Sequence, residues 1–80
     1  MARNIYFVVA FARFTNDIIT HSNFSTLRDA EKEARYFIKH SNVGRVEVLK
    51  NESLFEVFGR EEGDRRAIKI KDGVITTIRL

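Results

Sequence analysis

Hydrophobic positions along the chain repeat first with period two, then with a period near 3.6, then with period two again. From Asn4 to Phe14 apolar residues are almost continuous, with Ile5, Phe7, Val9 and Phe11 on one side of an extended chain and Tyr6, Val8, Ala10 and Ala12 on the other. A strand apolar on both faces belongs in the middle of a sheet or beneath a second contact. Thr15, Asn16 and Asp17 supply a turn, because Asn and Asp tolerate left-handed backbone, and Ile18 to Ser22 returns antiparallel. A two-residue loop at Asn16 and Asp17 would set Phe14 against Ile19 and Ala12 against His21.

Phe24 to His40, FSTLRDAEKEARYFIKH, carries the one sustained helical period. Leu27, Ala30, Ala34, Phe37 and Ile38 gather within an arc of about 100°, the stripe of a helix resting on a core. Ser25 or Thr26 offers an N-cap hydroxyl, and Thr26 with Asp29 is a capping box with the shorter acid. Asp29, Glu31 and Glu33 early and Lys39 and His40 late suit the helix dipole, and Ser41, Asn42 and Gly44 mark the stop. Outside the stripe, Arg28, Lys32, Arg35 and Lys39 line one flank, Asp29 and Glu33 the other, and Tyr36 stands between them. Pairing of Glu31 with Arg35 and of Asp29 with Lys32, at ~0.2–0.5 kcal/mol each, would make this a balanced, solvated surface. The alternative makes Tyr36 and its cations the anchor for a protein partner, because Tyr and Arg are enriched at interface hot spots.

Beyond the helix, Gly44 to Lys50 alternates Val46 and Val48 with Arg45 and Glu47, Asn51-Glu52 turns, and Leu54 to Phe58 returns. A two-residue loop sets Val48 against Phe55 and Val46 against Val57, leaves Leu54 and Phe58 on the outer face, and opposes Glu47 to Glu56. Like charges directly opposite are unfavourable, so the pattern calls for a longer loop or an interposed cation. Gly59 to Arg66, GREEGDRR, is the most polar stretch and reads as a solvated loop or a contact site. Ala67 to Lys71 and Val74 to Leu80 flank Asp72-Gly73, the strongest hairpin signal in the chain, since a type I′ turn needs positive φ at both positions. The register then sets Ile70 against Ile75, Ile68 against Thr77, Lys69 against Thr76 and Lys71 against Val74, with one face apolar and the other basic. The resulting class is α+β: a mainly antiparallel sheet in the order β-β-α-β-β-β-β, packed on one amphipathic helix, as a single domain over residues 1–80. The surplus of apolar surface makes a homodimer a candidate assembly.

Composition adds limits to this picture. Eighty residues make one core, and without cysteine or proline the chain has neither disulfides nor thiolate metal ligands, so the apolar core must hold the fold. The lack of cysteine favours a reducing, cytoplasmic setting. No run of 18 apolar residues occurs, which excludes a membrane-spanning helix. Arg3 followed by Ile5 to Ala12 imitates a secretory leader but is shorter than the ~15 residues one needs, so a buried strand is expected there. The net charge of +3 is unevenly placed: residues 1–64 hold nine basic and ten acidic side chains, whereas Arg65, Arg66, Lys69, Lys71 and Arg79 face only Asp72 in the rest.

Catalytic chemistry is not evident. His21 and His40 have no acid at ligand spacing, the glycines at 44, 59, 63 and 73 are isolated, and Glu61, Glu62 and Asp64 make only a generic acidic loop. The expectation is a non-enzymatic binding protein with no cofactor. Arg65, Arg66, Lys69, Lys71 and Arg79 could follow the phosphates of a nucleic acid, although every Phe and Tyr lies upstream of residue 59 and the hairpin carries no stacking platform. The protein-partner reading places its contacts at Arg28, Lys32, Arg35, Tyr36 and Lys39. Over residues 4–58, a hairpin, a Ser-Thr-Leu helix start, an Ala-rich amphipathic helix and a further hairpin resemble small phage or mobile-element proteins that bind and inhibit host machinery. The resemblance implies an interaction or inhibitor module and transfers no individual residue.

Overall fold

A computed structural model describes residues 4–60 and 65–80. Its elements are β1 (Tyr6–Ala12), β2 (Ile18–Phe24), α1 (Leu27–Ile38), β3 (Val43–Lys50), β4 (Ser53–Arg60), β5 (Arg66–Lys71) and β6 (Val74–Arg79). The six strands form one antiparallel sheet in the order β2-β1-β3-β4-β5-β6, with α1 packed across one face of β1, β3 and β4. No helix is long and apolar enough to cross a membrane, among the described residues.

The two periods in the sequence explain this layering. On the helix side of the sheet Tyr6, Val8, Ala10, Val46, Val48 and Phe58 meet Ala30, Ala34 and Ile38, and all are buried. Small alanines at the contact let the helix settle closely, while Leu27 and Phe37 close its margins. Thr26 is the N-cap, its Oγ1 accepting from the Asp29 N–H at 3.3 Å, which satisfies one of the orphan amides of the first turn. The opposite end is closed from far along the chain. Arg60 donates from Nε to the Val43 carbonyl at 3.2 Å and from Nη2 to the carbonyls of Ile38 and His40, so its guanidinium collects carbonyls left over where the helix stops.

The strands of the last hairpin pair as the sequence predicts, with Asp72 and Gly73 at φ of 52° and 76°. Two other registers differ from expectation. Between β1 and β2 the loop is longer than two residues: Ala12 donates to the Asp17 carbonyl at 2.7 Å, Phe11 lies opposite Ile18, and Ile19 is an extra residue before Thr20 pairs with Ala10. Between β3 and β4 the turn does have two residues, Asn51 and Glu52, both at positive φ, but Leu49 faces Leu54 and Val48 faces Glu56, leaving Phe55 as a bulge. That extra residue reverses the later part of the strand. Phe58 therefore lies in the core instead of on the outer face, and Glu47 opposes Val57, which removes the clash of Glu47 with Glu56. Asn51 also ties this turn to the start of β1, exchanging two 2.9 Å hydrogen bonds with the Ile5 backbone.

A close backbone approach accompanies another irregularity, at Gly44 in β3. A Cβ there would lie 2.8 Å from the Cα of Arg13, so only glycine lets the loop after β1 pass.

Candidate partner-binding surfaces

The helix period turns Arg28, Lys32, Arg35, Tyr36 and Lys39 outward, away from the sheet, and all five are exposed. With Leu27 and Glu31 they line one shallow depression of about 760 Å³. Tyr36, 58% exposed, stands edge-on to His40 at 4.9 Å and to Phe37 at 5.3 Å, contacts that hold its ring upright at the rim. A second, smaller depression on the other side of Lys32 and Tyr36 runs to Phe24, Asp29 and Glu33.

The electrostatics of this flank differ from the balanced helix that spacing suggests. Glu31 reaches down to Lys69 on β5, with 3.5 Å between Oε2 and Nζ, and Glu33 accepts from the Ser22 hydroxyl on β2 at 3.5 Å. Among the described residues, no acid comes within ion-pair distance of Arg28, Lys32, Arg35 or Lys39. The intrahelical pairs from Glu31 to Arg35 and from Asp29 to Lys32 are not formed, and Glu31 instead has a less solvated partner in the sheet. The helix surface is thus a cluster of four cations about one exposed aromatic ring.

The basic hairpin shows the reverse. Lys69 and Lys71 lie on the helix side of the sheet, where Lys69 meets Glu31 and Lys71 Nζ lies 3.5 Å from Glu56 Oε1. Arg66 and Arg79 are cross-strand neighbours on the opposite face, and Arg65 precedes them. The five basic residues of the sequence expectation are therefore divided between two faces, and two of them are held against carboxyl groups on the helix side. Arg60, near them in sequence, is engaged with the end of α1. The acidic stretch Glu61, Glu62 and Asp64 lies outside the described residues.

Sequence reasoning missed Glu56. Its side chain is fully buried under α1, with Lys71 Nζ 3.5 Å from Oε1. Burial pushes its carboxyl up to about 7, the nearby Glu31 carboxyl adds to the rise by hydrogen bonding and repulsion, and Lys69 and Lys71 oppose it. The strand alternation placed Glu56 beside Glu47 on a wet face, and only the Phe55 bulge carries it inside. Phe55 in turn lies between two ammonium groups, 5.5 Å from Lys50 and 5.0 Å from Lys71.

The sheet face away from the helix forms a further surface. Phe7, Val9, Leu49, Val57 and Ile68 are half-buried there, Arg45 lies 4.1 Å over the Phe11 ring, and Arg45 Nε meets Glu47 Oε2 at 3.2 Å. No other element covers this face, among the described residues. His21 lies on β2 and His40 just beyond the end of α1, and no group of three or more His, Cys, Asp or Glu is placed to hold a metal ion, again among the described residues. The chain matches no family model, no curated protein and no solved structure.

Proposed function

We propose that the chain is a small, non-enzymatic binding module that docks the outward face of α1 onto an acidic protein surface. It belongs in kind with interaction or inhibitor proteins of phage or mobile-element type that act on host machinery in the cytoplasm. The observation that carries the reading is the set of cations at Arg28, Lys32, Arg35 and Lys39, without acidic partners among the described residues, around an exposed Tyr36. An aromatic anchor with adjacent guanidinium groups supplies apolar area and directional donors together, which is the composition of an interface hot spot. Nucleic acid held by Arg65, Arg66, Lys69, Lys71 and Arg79 is the weaker reading, since Lys69 and Lys71 would first have to leave Glu31 and Glu56.

Capture of a partner from the native host, with and without nuclease, tests both readings. A nuclease-resistant partner should bind the wild-type chain and be lost with Tyr36→Ala and with Arg35→Glu, at unchanged melting temperature. Binding that both variants leave intact overturns the helix-face reading. Binding abolished by nuclease, or by Lys69→Ala with Arg79→Ala, transfers the function to nucleic acid.

A further inference from the structure

The sheet has two edges and treats them differently. The β2 edge is interrupted by the extra residue Ile19, is polar at Thr20, Ser22 and Asn23, and is fastened to α1 through Ser22 and Glu33. Bulges and polar side chains of this kind blunt an edge against further pairing. The β6 edge has no such interruption. Its register with β5 runs without a shift from Arg66 opposite Arg79 to Lys71 opposite Val74, and Val74, Ile75, Thr76 and Thr77 are all exposed, Val74 at 63% and Ile75 at 65%. Leu80 donates to the Arg65 carbonyl at 3.0 Å, so the backbone groups of Val74, Thr76, Ile78 and Leu80 turn toward β5. Those of Ile75, Thr77 and Arg79 consequently point away from the sheet, in a regular row with no further strand beyond them among the described residues.

We propose that β6 is a homodimerisation edge, pairing antiparallel with β6 of a second copy about a two-fold axis through Thr77. In that register Thr77 faces Thr77 of the second copy and Ile75 faces its Arg79, so the outward backbone groups of both copies meet in pairs that each exchange two hydrogen bonds. On the helix side Val74 meets Leu80 and Thr76 meets Ile78, which covers Val74, one of the most exposed aliphatic groups of the hairpin. Arg79, the single charged side chain on the strand, meets no cation across the axis. This self-complementarity selects a second copy over a foreign strand. The product is one continuous sheet across both copies, with both helices on the same side and Arg28, Lys32, Arg35 and Lys39 of each free for the partner of α1.

Light scattering on the full chain after size exclusion should give twice the chain mass at high micromolar concentration. Thr77→Lys and Thr77→Glu, which place like charges on the axis, should each lose the doubled mass at unchanged circular dichroism, and an equimolar mixture of the two should regain it. A monomeric wild type, or a dimer indifferent to both substitutions, overturns the proposal. Hydrogen exchange on the wild type gives a reading free of any variant. The amides of Ile75, Thr77 and Arg79 should slow with rising concentration, and rates that do not depend on concentration overturn it equally.

Discussion

The helix-covered part of the sheet and the β5–β6 hairpin are built from the same kind of strand, yet they are held by different forces. In β1, β3 and β4 each inward side chain is enclosed between the sheet and α1, and Val8, Val46, Val48 and Phe58 are almost completely removed from water. The hairpin extends past the helix, so Val74 and Thr76 remain exposed on the helix side although their register is the more regular of the two. Regular pairing is thus a local property, set by a good turn and cross-strand partners, whereas burial depends on what lies above the strand. Between these regions, Lys69 and Lys71 of β5 meet the carboxyl groups of Glu31 on α1 and Glu56 on β4, making a polar seam.

The largest effect expected from this contrast is in the core. Phe58→Ala should lower stability by about 3–5 kcal/mol through lost transfer energy and a residual cavity, whereas Ile75→Ala in dilute solution should change it by less than about 1 kcal/mol. Urea unfolding of the two variants checks the pair, and equal losses would mean that the hairpin is enclosed in solution.

The seam should give the next effect. With its carboxyl raised to about 7 in the folded chain from an ordinary value of 4.5, Glu56 holds a proton that the unfolded chain releases. Its contribution is therefore complete below about pH 4.5 and is lost as the pH rises through about 7. Glu56→Gln should flatten that decline and be the more stable form at pH 8, by about 1–3 kcal/mol. Melting curves across the window measure it, and parallel pH profiles for the two proteins would show that Glu56 stays ionised in the fold.

The smallest effect concerns the hairpin tip. Gly73→Ala, at φ of 76°, should cost about 1 kcal/mol and speed amide exchange in β5 and β6 while leaving β1 and β3 protected. Uniform acceleration through the sheet would mean that the hairpin and the covered strands open as one unit.

Much of this architecture was legible in the residues. The stripe from Leu27 to Ile38 named the buried side of α1, the cap was narrowed to Ser25 or Thr26, of which Thr26 serves, and Asp72-Gly73 named a register correct at each position. What escaped was the single extra residue. A bulge at Phe55 changes the parity of the strand, and nothing in the local pattern distinguishes a Glu56 pointing outward from one pointing inward, because each choice has one unfavourable partner. The cluster of Arg28, Lys32, Arg35, Tyr36 and Lys39 on one outward face was legible from helical spacing alone. Its charge was not, since Glu31 and Glu33 prefer partners on β5 and β2 that are remote in sequence.

The reach of Arg60 bears on the order in which the chain matures. The end of α1 takes its closing hydrogen bonds from a residue 20 positions beyond His40 and at the far end of β4. As the chain leaves the ribosome, the first turn of the helix can be capped at once by Thr26, whereas the carbonyls at its end can receive Arg60 only after β3 and β4 have been synthesised. The guanidinium acts as a latch set late in folding, coupling completion of the helix to completion of the sheet.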